Sequence, residues 1–374
     1  MRVLDLSLLF PGPYCASILS YFGADVYKIE RPGGGDWVRY VPPLGPDGVS
    51  LLFQALNRGK KSLTLNLRAP EGQAIFMRLV ETADVLLEGF RPGVMDRLGL
   101  SYERLAAANP RLVYCTLTGY GQDGPYRDRA GHDLNYVGLA GLLDLTGKRE
   151  GPPVIPGVPV ADVGGALWAA IGILQALLQR ERTGRGQRVD ASLLGGALGC
   201  LPLAVARQAG GQPMSRGGDD LTGGVVCYQV YETQDGGYMS LSALEPEFWA
   251  AFCRAAGRED LFGDQFSPAV DGEPAFEIMR ALFQSRTRDA WVAAMAGADA
   301  CCEPVYSVAE ALESPVVQAL DVIAGGLLCP PLHLSAQQGH LGAAPGLGQH
   351  TAAVLGELGY PPEEIERLRA TGVT

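Results

Sequence analysis

A histidine and an aspartate stand side by side in Arg129-Ala-Gly-His-Asp-Leu-Asn-Tyr-Val-Gly-Leu-Ala-Gly141. His132 is one of four histidines in the chain, and its ordinary pKa range makes it a natural proton carrier at neutral pH. With the Asp133 carboxylate beside it, the pair suits general acid/base work. An isolated His-Asp dipeptide also serves turns and caps. Two more carboxylates stand singly in apolar settings bounded by glycine or proline: Asp162 in Pro159-Val-Ala-Asp-Val-Gly-Gly165, and Glu245 in Ala243-Leu-Glu-Pro246. Such settings disfavour the charged form and raise a carboxylate pKa toward neutrality. Read from local pattern alone, Asp162 is a helix N-cap.

The bulk numbers bound what can surround these groups. A chain of 374 residues is long for a single core and predicts two domains. A net charge of −11 argues against a general nucleic-acid binder, while leaving room for a local basic pocket. Met1-Arg-Val-Leu-Asp-Leu reads as a first core strand and not as a signal peptide. The most apolar stretch, 163–178, reads as too short and too rich in Gly and Ala for a membrane span. Eight cysteines are scattered without a C-x-x-C pair. Neither a metal cluster nor a disulfide framework is expected, and a reducing cytoplasm is the simplest home. Cys301 and Cys302 read as buried thiols.

Strands and helices alternate through the first half, which predicts a largely parallel sheet. Strands are expected over 3–6, 24–30, 83–88, 112–117 and 187–191, with helices over 14–22, 70–82 and from Asp162 to about Arg182. The phosphate fingerprint G-x-G-x-x-G is absent after the first strand, so a nicotinamide site is not expected. Arg58, Lys60 and Lys61 precede an alternating strand. They read equally well as a solvated turn or as an electrostatic site for a phosphate-bearing ligand. Gly89-Phe-Arg-Pro-Gly93 presents Arg91 at a strand's C-terminal edge, where open α/β sheets place ligands. The run 192–206 reads as helix broken near Pro202. Gly210 to Asp220 reads as a flexible linker, followed by a hairpin over 228–242 and further helices. From Ala324 to Gly348 the chain is rich in Gly and Pro, and His333, His340 and His350 read as surface loop residues.

Taken together, these residues resemble the family III coenzyme A transferases, and within them the alpha-methylacyl-CoA racemases. The resemblance spans nearly the whole chain, through FPGPYCA, GADVYKIERP, GFRPGVMDRLGL, GYGQDGP, AGHDLNY, ADVGG, TGRGQ, ALEPEFW and DACCEPV in order. It implies an α/β fold: a Rossmann-like large domain with a mostly parallel sheet over 1–209, a linker and small α+β domain over 210–323, and a segment over 324–374 returning to the large domain. It also implies two subunits interlocked as a homodimer. A racemase of this kind uses His132 and Asp162 as bases on opposite faces, aided by Glu245. A transferase of this kind uses Asp133 as a nucleophile that forms a mixed anhydride with the acyl group. The resemblance favours the racemase, with the transferase as alternative.

Coenzyme A is then the handle of an acyl-CoA thioester substrate, with no metal or redox cofactor, no nucleic acid and no membrane partner. Arg31, Arg91 and the backbone of Leu65, Asn66 and Leu67 would hold it, with Gly89, Phe90, Gly131 and Tyr136 from the same motifs. Backbone donors of the Gly131–Asp133 turn or of the Asp162 helix start would stabilise the enolate. Racemases of this type can carry a methionine-rich acyl surface in the region matching 192–206, and no methionine stands there. Acyl specificity is therefore not carried over. A binding protein without catalytic activity is the reading from another class.

Overall fold

Six short runs form the strands of one parallel sheet in the computed structural model, the central ones rich in apolar residues: β1 Arg2–Asp5, β2 Asp25–Glu30, β3 Lys61–Thr64, β4 Val85–Glu88, β5 Val113–Thr118 and β6 Arg188–Ser192. The structure describes residues 1–337, 339 and 342–374, so His340 lies outside the described residues. The strand order is β3-β2-β1-β4-β5-β6, and every neighbouring pair runs parallel. β4 and β5 are buried along their whole length, as central parallel strands covered on both faces should be. The order reverses between β1 and β4, so the loops leaving the C-terminal ends of these strands flank the crevice where such sheets take ligands.

The chain divides into two compact units. The first comprises Met1–Ala140, Val158–Cys200 and Leu320–Thr374. Its C-terminal residues rejoin the sheet edge through named bonds. The N–H of His350 donates to Ser62 O at 3.0 Å, and the N–H of Asn66 donates to Val373 O at 2.8 Å. Val354, Leu355, Leu368 and Val373 enter the same apolar core as Leu63, Leu65 and Phe76.

The boundary expected at residue 209 falls instead after Cys200, and 141–157 belongs to the second unit. Pro202 ends the helical run at Leu193–Leu198 and starts a new helix, Pro202–Ala209. Arg207 of that helix pairs with Asp219 at 2.7 Å and Asp220 at 2.8 Å. The stretch expected as a flexible linker is thus tied down by ion pairs, with Ser215 also bonded to Asp219.

The second unit carries an antiparallel sheet of β7 Tyr228–Glu232, β8 Tyr238–Ser242 and β9 Cys302–Pro304. Its helices Pro246–Ala256, Pro274–Phe283 and Arg288–Met295 close over Trp249, Phe252, Phe283 and Trp291. Both indoles are satisfied, donating to Leu261 O and Phe283 O, as buried tryptophans require. β9 escaped the sequence because three residues ending in proline carry no alternation. Cys302 is buried, whereas Cys301 is only half-buried and takes a left-handed φ of 47°.

The longest helix, Val160–Thr183, spans 24 residues. By length and composition it is apolar enough to cross a membrane, contrary to the estimate from 163–178. It nevertheless buries Ala166, Ala169, Ala170, Ile173 and Ala176, and its Arg180 pairs with Asp84 at 2.9 Å. One face therefore packs as a core helix of the first unit. The Gly-Gly of ADVGG has a packing cause: a Cβ at Gly164 would sit 2.8 Å from Gly196 O, so only glycine lets the helix Leu193–Leu198 approach.

Candidate active site

Loops at the C-terminal edge of the sheet border an open cavity of about 550 Å³ in the first unit, together with the start of the helix Val160–Thr183. Ser7–Phe10 follows β1 and leads into the helix start Pro11–Gly12, Gly89–Pro92 follows β4, and Gly119–Tyr120 follows β5. His132 and Asp162 both line the cavity. His132 is exposed, immediately before the helix Asp133–Leu139, and its N–H donates to Asn135 Oδ1 at 3.0 Å. The phenol of Tyr136 donates to Gly131 O at 2.7 Å, fixing the turn that presents the imidazole. Burial pushes that phenol up to about 12, so it stays a donor.

Asp162 is not the N-cap that local pattern suggested. It is the third residue of its helix, whose flanking residue Pro159 makes no side-chain cap. The cap comes from a distant part of the chain. Asp133 Oδ1 accepts the N–H of Ala161 at 2.7 Å and the N–H of Asp162 at 3.1 Å. A carboxylate on the first N–H groups of a helix is favoured by both hydrogen bonding and the helix dipole. Burial, then the nearby Asp133 charge, pushes Asp162 up to about 6, partly offset by His132. These bonds also occupy two donors at the helix start expected to stabilise an enolate, and the N–H of His132 is taken as well.

Residues expected to hold coenzyme A fall into two groups. Gly89, Phe90, Arg91, Gly131 and Tyr136 all line the cavity with His132. Their loop is held from below: the N–H of Phe90 donates to Glu88 Oε2 at 2.7 Å, and burial pushes Glu88 up to about 7. Arg31, Leu65, Asn66 and Leu67 do not line it. Arg31 is exposed in the loop after β2. The N–H of Leu65 donates to Glu30 O, that of Asn66 to Val373 O, and Leu67 O accepts Gln73.

Of the three cations of the basic loop, Lys60 fits neither sequence reading, while Arg58 and Lys61 stay partly exposed. Lys60 is buried and donates to Asp5 Oδ2 at 2.9 Å, Pro13 O and Asn57 Oδ1. Arg58 donates to Ala324 O and Lys61 pairs with Asp25 at 2.8 Å. Lys60 is spent on the fold, and the other two each have a partner in it. Glu245 lies in the second unit, exposed, as the residue preceding the helix Pro246–Ala256.

Sequence reasoning missed one wall and two charges of the cavity. Leu8, Leu9, Trp37, Val41 and Leu52 form apolar lining, and Arg127 and Arg129 join Arg91. The helix expected from residue 14 in fact starts at Pro11, and the place of Leu8 and Leu9 directly after the first strand was the available signal. Trp37 carried none, because a lone tryptophan in a glycine-rich turn has no periodicity to read.

A family model described as CoA-transferase family III matches residues 1–351. Among curated proteins, alpha-methylacyl-CoA racemase of Homo sapiens is 36% identical over 381 residues, covering 99% of this chain and 95% of that protein. Succinyl-CoA:glutarate CoA-transferase of Mus musculus is 32% identical over 389 residues, covering 100% of this chain and 89% of its own. Among solved structures, a CAIB/BAIF family protein from Brucella suis superposes with a TM-score of 0.84 at 32% identity, covering 96% of this chain and 98% of that one.

Proposed function

The chain belongs to CoA-transferase family III, and from that premise we propose that it inverts the α-carbon of 2-methylacyl-CoA thioesters by two-base proton transfer. The observation that carries this reading is the division of labour among three neighbouring groups. His132 and Asp162 line one cavity, while Asp133 Oδ1 is bonded to the start of the Asp162 helix. One base takes the α-proton, and the electron pair moves onto the thioester carbonyl as an enolate. The conjugate acid of the other base then returns a proton to the opposite face. An aspartate at its usual value is a poor acid near pH 7. An Asp162 carboxyl raised to about 6 can both take and give a proton there. Stabilising the enolate falls to donors other than the N–H groups of Ala161 and Asp162.

In the proposal coenzyme A is the substrate's handle, with Arg91 facing the cavity as its phosphate partner. Glu245 is kept as a third participant on the family resemblance alone. The functional form is proposed to be an interlocked homodimer, for which the exposed stripe Leu167, Ile171, Leu174 and Leu178 on the longest helix offers apolar surface. A cytoplasmic home is part of the same reading.

Family relatives include transferases, so the alternative is attack by the Asp133 carboxylate on the thioester carbonyl, the C–S bond breaking to release the coenzyme A thiolate and leave a mixed anhydride. The deciding experiment is incubation of a chiral 2-methylacyl-CoA in deuterated water, with and without an acceptor carboxylate. Deuterium should enter the α-position without any acceptor. Exchange only when a second acid is present, or CoA passing to that acid, defeats the racemase and favours the transferase.

A further inference from the structure

Asp36 does not line the cavity, yet it holds two of its walls. Its side chain is fully buried. Its Oδ2 accepts the N–H of Leu9 at 3.2 Å, and its Oδ1 accepts the N–H of Val38 at 3.1 Å. Lys28, equally buried, places Nζ 3.0 Å from Asp36 Oδ2 and donates to Ser7 O at 3.0 Å. One ion pair therefore grips both ends of the turn Ser7–Leu9 and the turn Trp37–Tyr40. Ser7, Leu9, Trp37 and Val38 all face the cavity.

Leu9 sits at φ +67°, in the left-handed region. A Cβ there crowds the backbone, and single non-glycine residues occupy it at a cost. Such strain persists where the surroundings over-determine it, and it gathers at binding sites. Glycine would take the same turn freely but would leave no side chain on the wall.

We propose that the buried Lys28–Asp36 pair is a positioning device that locks Leu9 in its left-handed conformation and so sets the wall of Leu8, Leu9 and Trp37 against which the acyl group lies. This rests on the reading of the cavity as an acyl-CoA site. The wall and Arg91 line the same cavity but stand on different loops, after β1 and β2 for the wall and after β4 for Arg91. The proposal therefore expects acyl binding and binding of the coenzyme A handle to respond separately to substitution.

The test compares two substitutions that backbone and apolarity rank in opposite orders. Asparagine tolerates positive φ, whereas valine, being β-branched, is an outlier there. Dissociation constants for 2-methyldecanoyl-CoA and for free coenzyme A are measured by calorimetry on the full chain. Leu9→Val should weaken the thioester roughly tenfold and leave free coenzyme A unchanged, while Leu9→Asn should stay closer to wild type. Asp36→Asn sets an amide N–H₂ against donors and should reproduce the Leu9→Val pattern. Adding Leu9→Asn to it should restore part of the loss.

Leu9→Val binding the thioester more tightly than Leu9→Asn overturns the conformational requirement, whether or not Asp36→Asn folds. Equal losses for thioester and free coenzyme A overturn the wall. Wild-type protein that binds no acyl-CoA defeats the functional reading, and this inference with it.

Discussion

Asp133 Oδ1 accepts the N–H of Asp162 at 3.1 Å, so the carboxylate next to the candidate histidine fixes the backbone of a second candidate base that lines the same cavity. The companion bond to Ala161 is shorter, at 2.7 Å. Residues 132 and 133 thereby divide two tasks: His132 lines the cavity, and the Asp133 carboxylate anchors the helix start that carries Asp162.

That arrangement ranks a set of variants. Asp133→Asn keeps an oxygen that can accept both N–H groups and should leave net inversion largely intact. Asp133→Ala removes the cap, costing about 1 kcal/mol of stability, and should lower inversion by displacing Asp162. His132→Ala and Asp162→Asn should each abolish inversion, leaving at most slow deuterium washout from one enantiomer. Washout from each pure enantiomer measures all four. Loss of activity in Asp133→Asn alone, with His132→Ala and Asp162→Asn near wild type, would select the transferase.

The pH dependence follows from Asp162, whose folded value of about 6 lies above the usual 3.8. Abstraction from its face needs the carboxylate, so that exchange should rise with pH through about 6. Asp133→Asn removes the second cause of the upward shift and should move this limb lower. Stability follows the opposite sense. Between 3.8 and about 6 the folded state binds the extra proton, so Asp162 costs stability progressively as pH rises, and fully above 6. Asp162→Asn should therefore raise Tm at neutral pH, with the gain vanishing below the lower value. A gain that persists at low pH contradicts the shift.

Arg91 faces the cavity and Arg31 does not. Arg91→Ala should weaken free coenzyme A by the loss of a charge-assisted contact, about 1.5–3 kcal/mol or roughly tenfold to a hundredfold. Arg31→Ala should have the smaller effect. Calorimetric titration of both variants decides, and an unchanged constant for Arg91→Ala returns that residue to a structural role.

An interlocked homodimer cannot exchange subunits without unfolding. Tagged and untagged proteins mixed under native conditions should form no mixed dimers over hours, and should form them after refolding together. Mixed species within minutes would exclude linked rings.

The parallel α/β sheet was legible before any coordinates because central strands bury both faces and so read as continuous apolar runs. His132 drew notice as a possible proton carrier from residue type, whereas Asp162 read locally as an N-cap and entered as a candidate base only through the family resemblance. Pro202 was legible as a helix break, since its ring and missing N–H act locally.

Long-range pairing was not legible. Nothing near Lys60 in sequence says that its partner is Asp5, 55 positions away, so a basic loop looked free when its buried charge was engaged. Arg207 pairing with Asp219 and Asp220 turned an apparent linker into a held loop for the same reason. The strained turn at Leu9 depends on Asp36, 27 positions on. Sequence alone determined which groups can carry a proton and that a parallel sheet would bear them, because ionisation and strand burial are properties of short stretches. Tertiary structure alone decided that Asp133 caps a helix while Asp162 faces the cavity, because a carboxylate's role is set by the donors it meets in space.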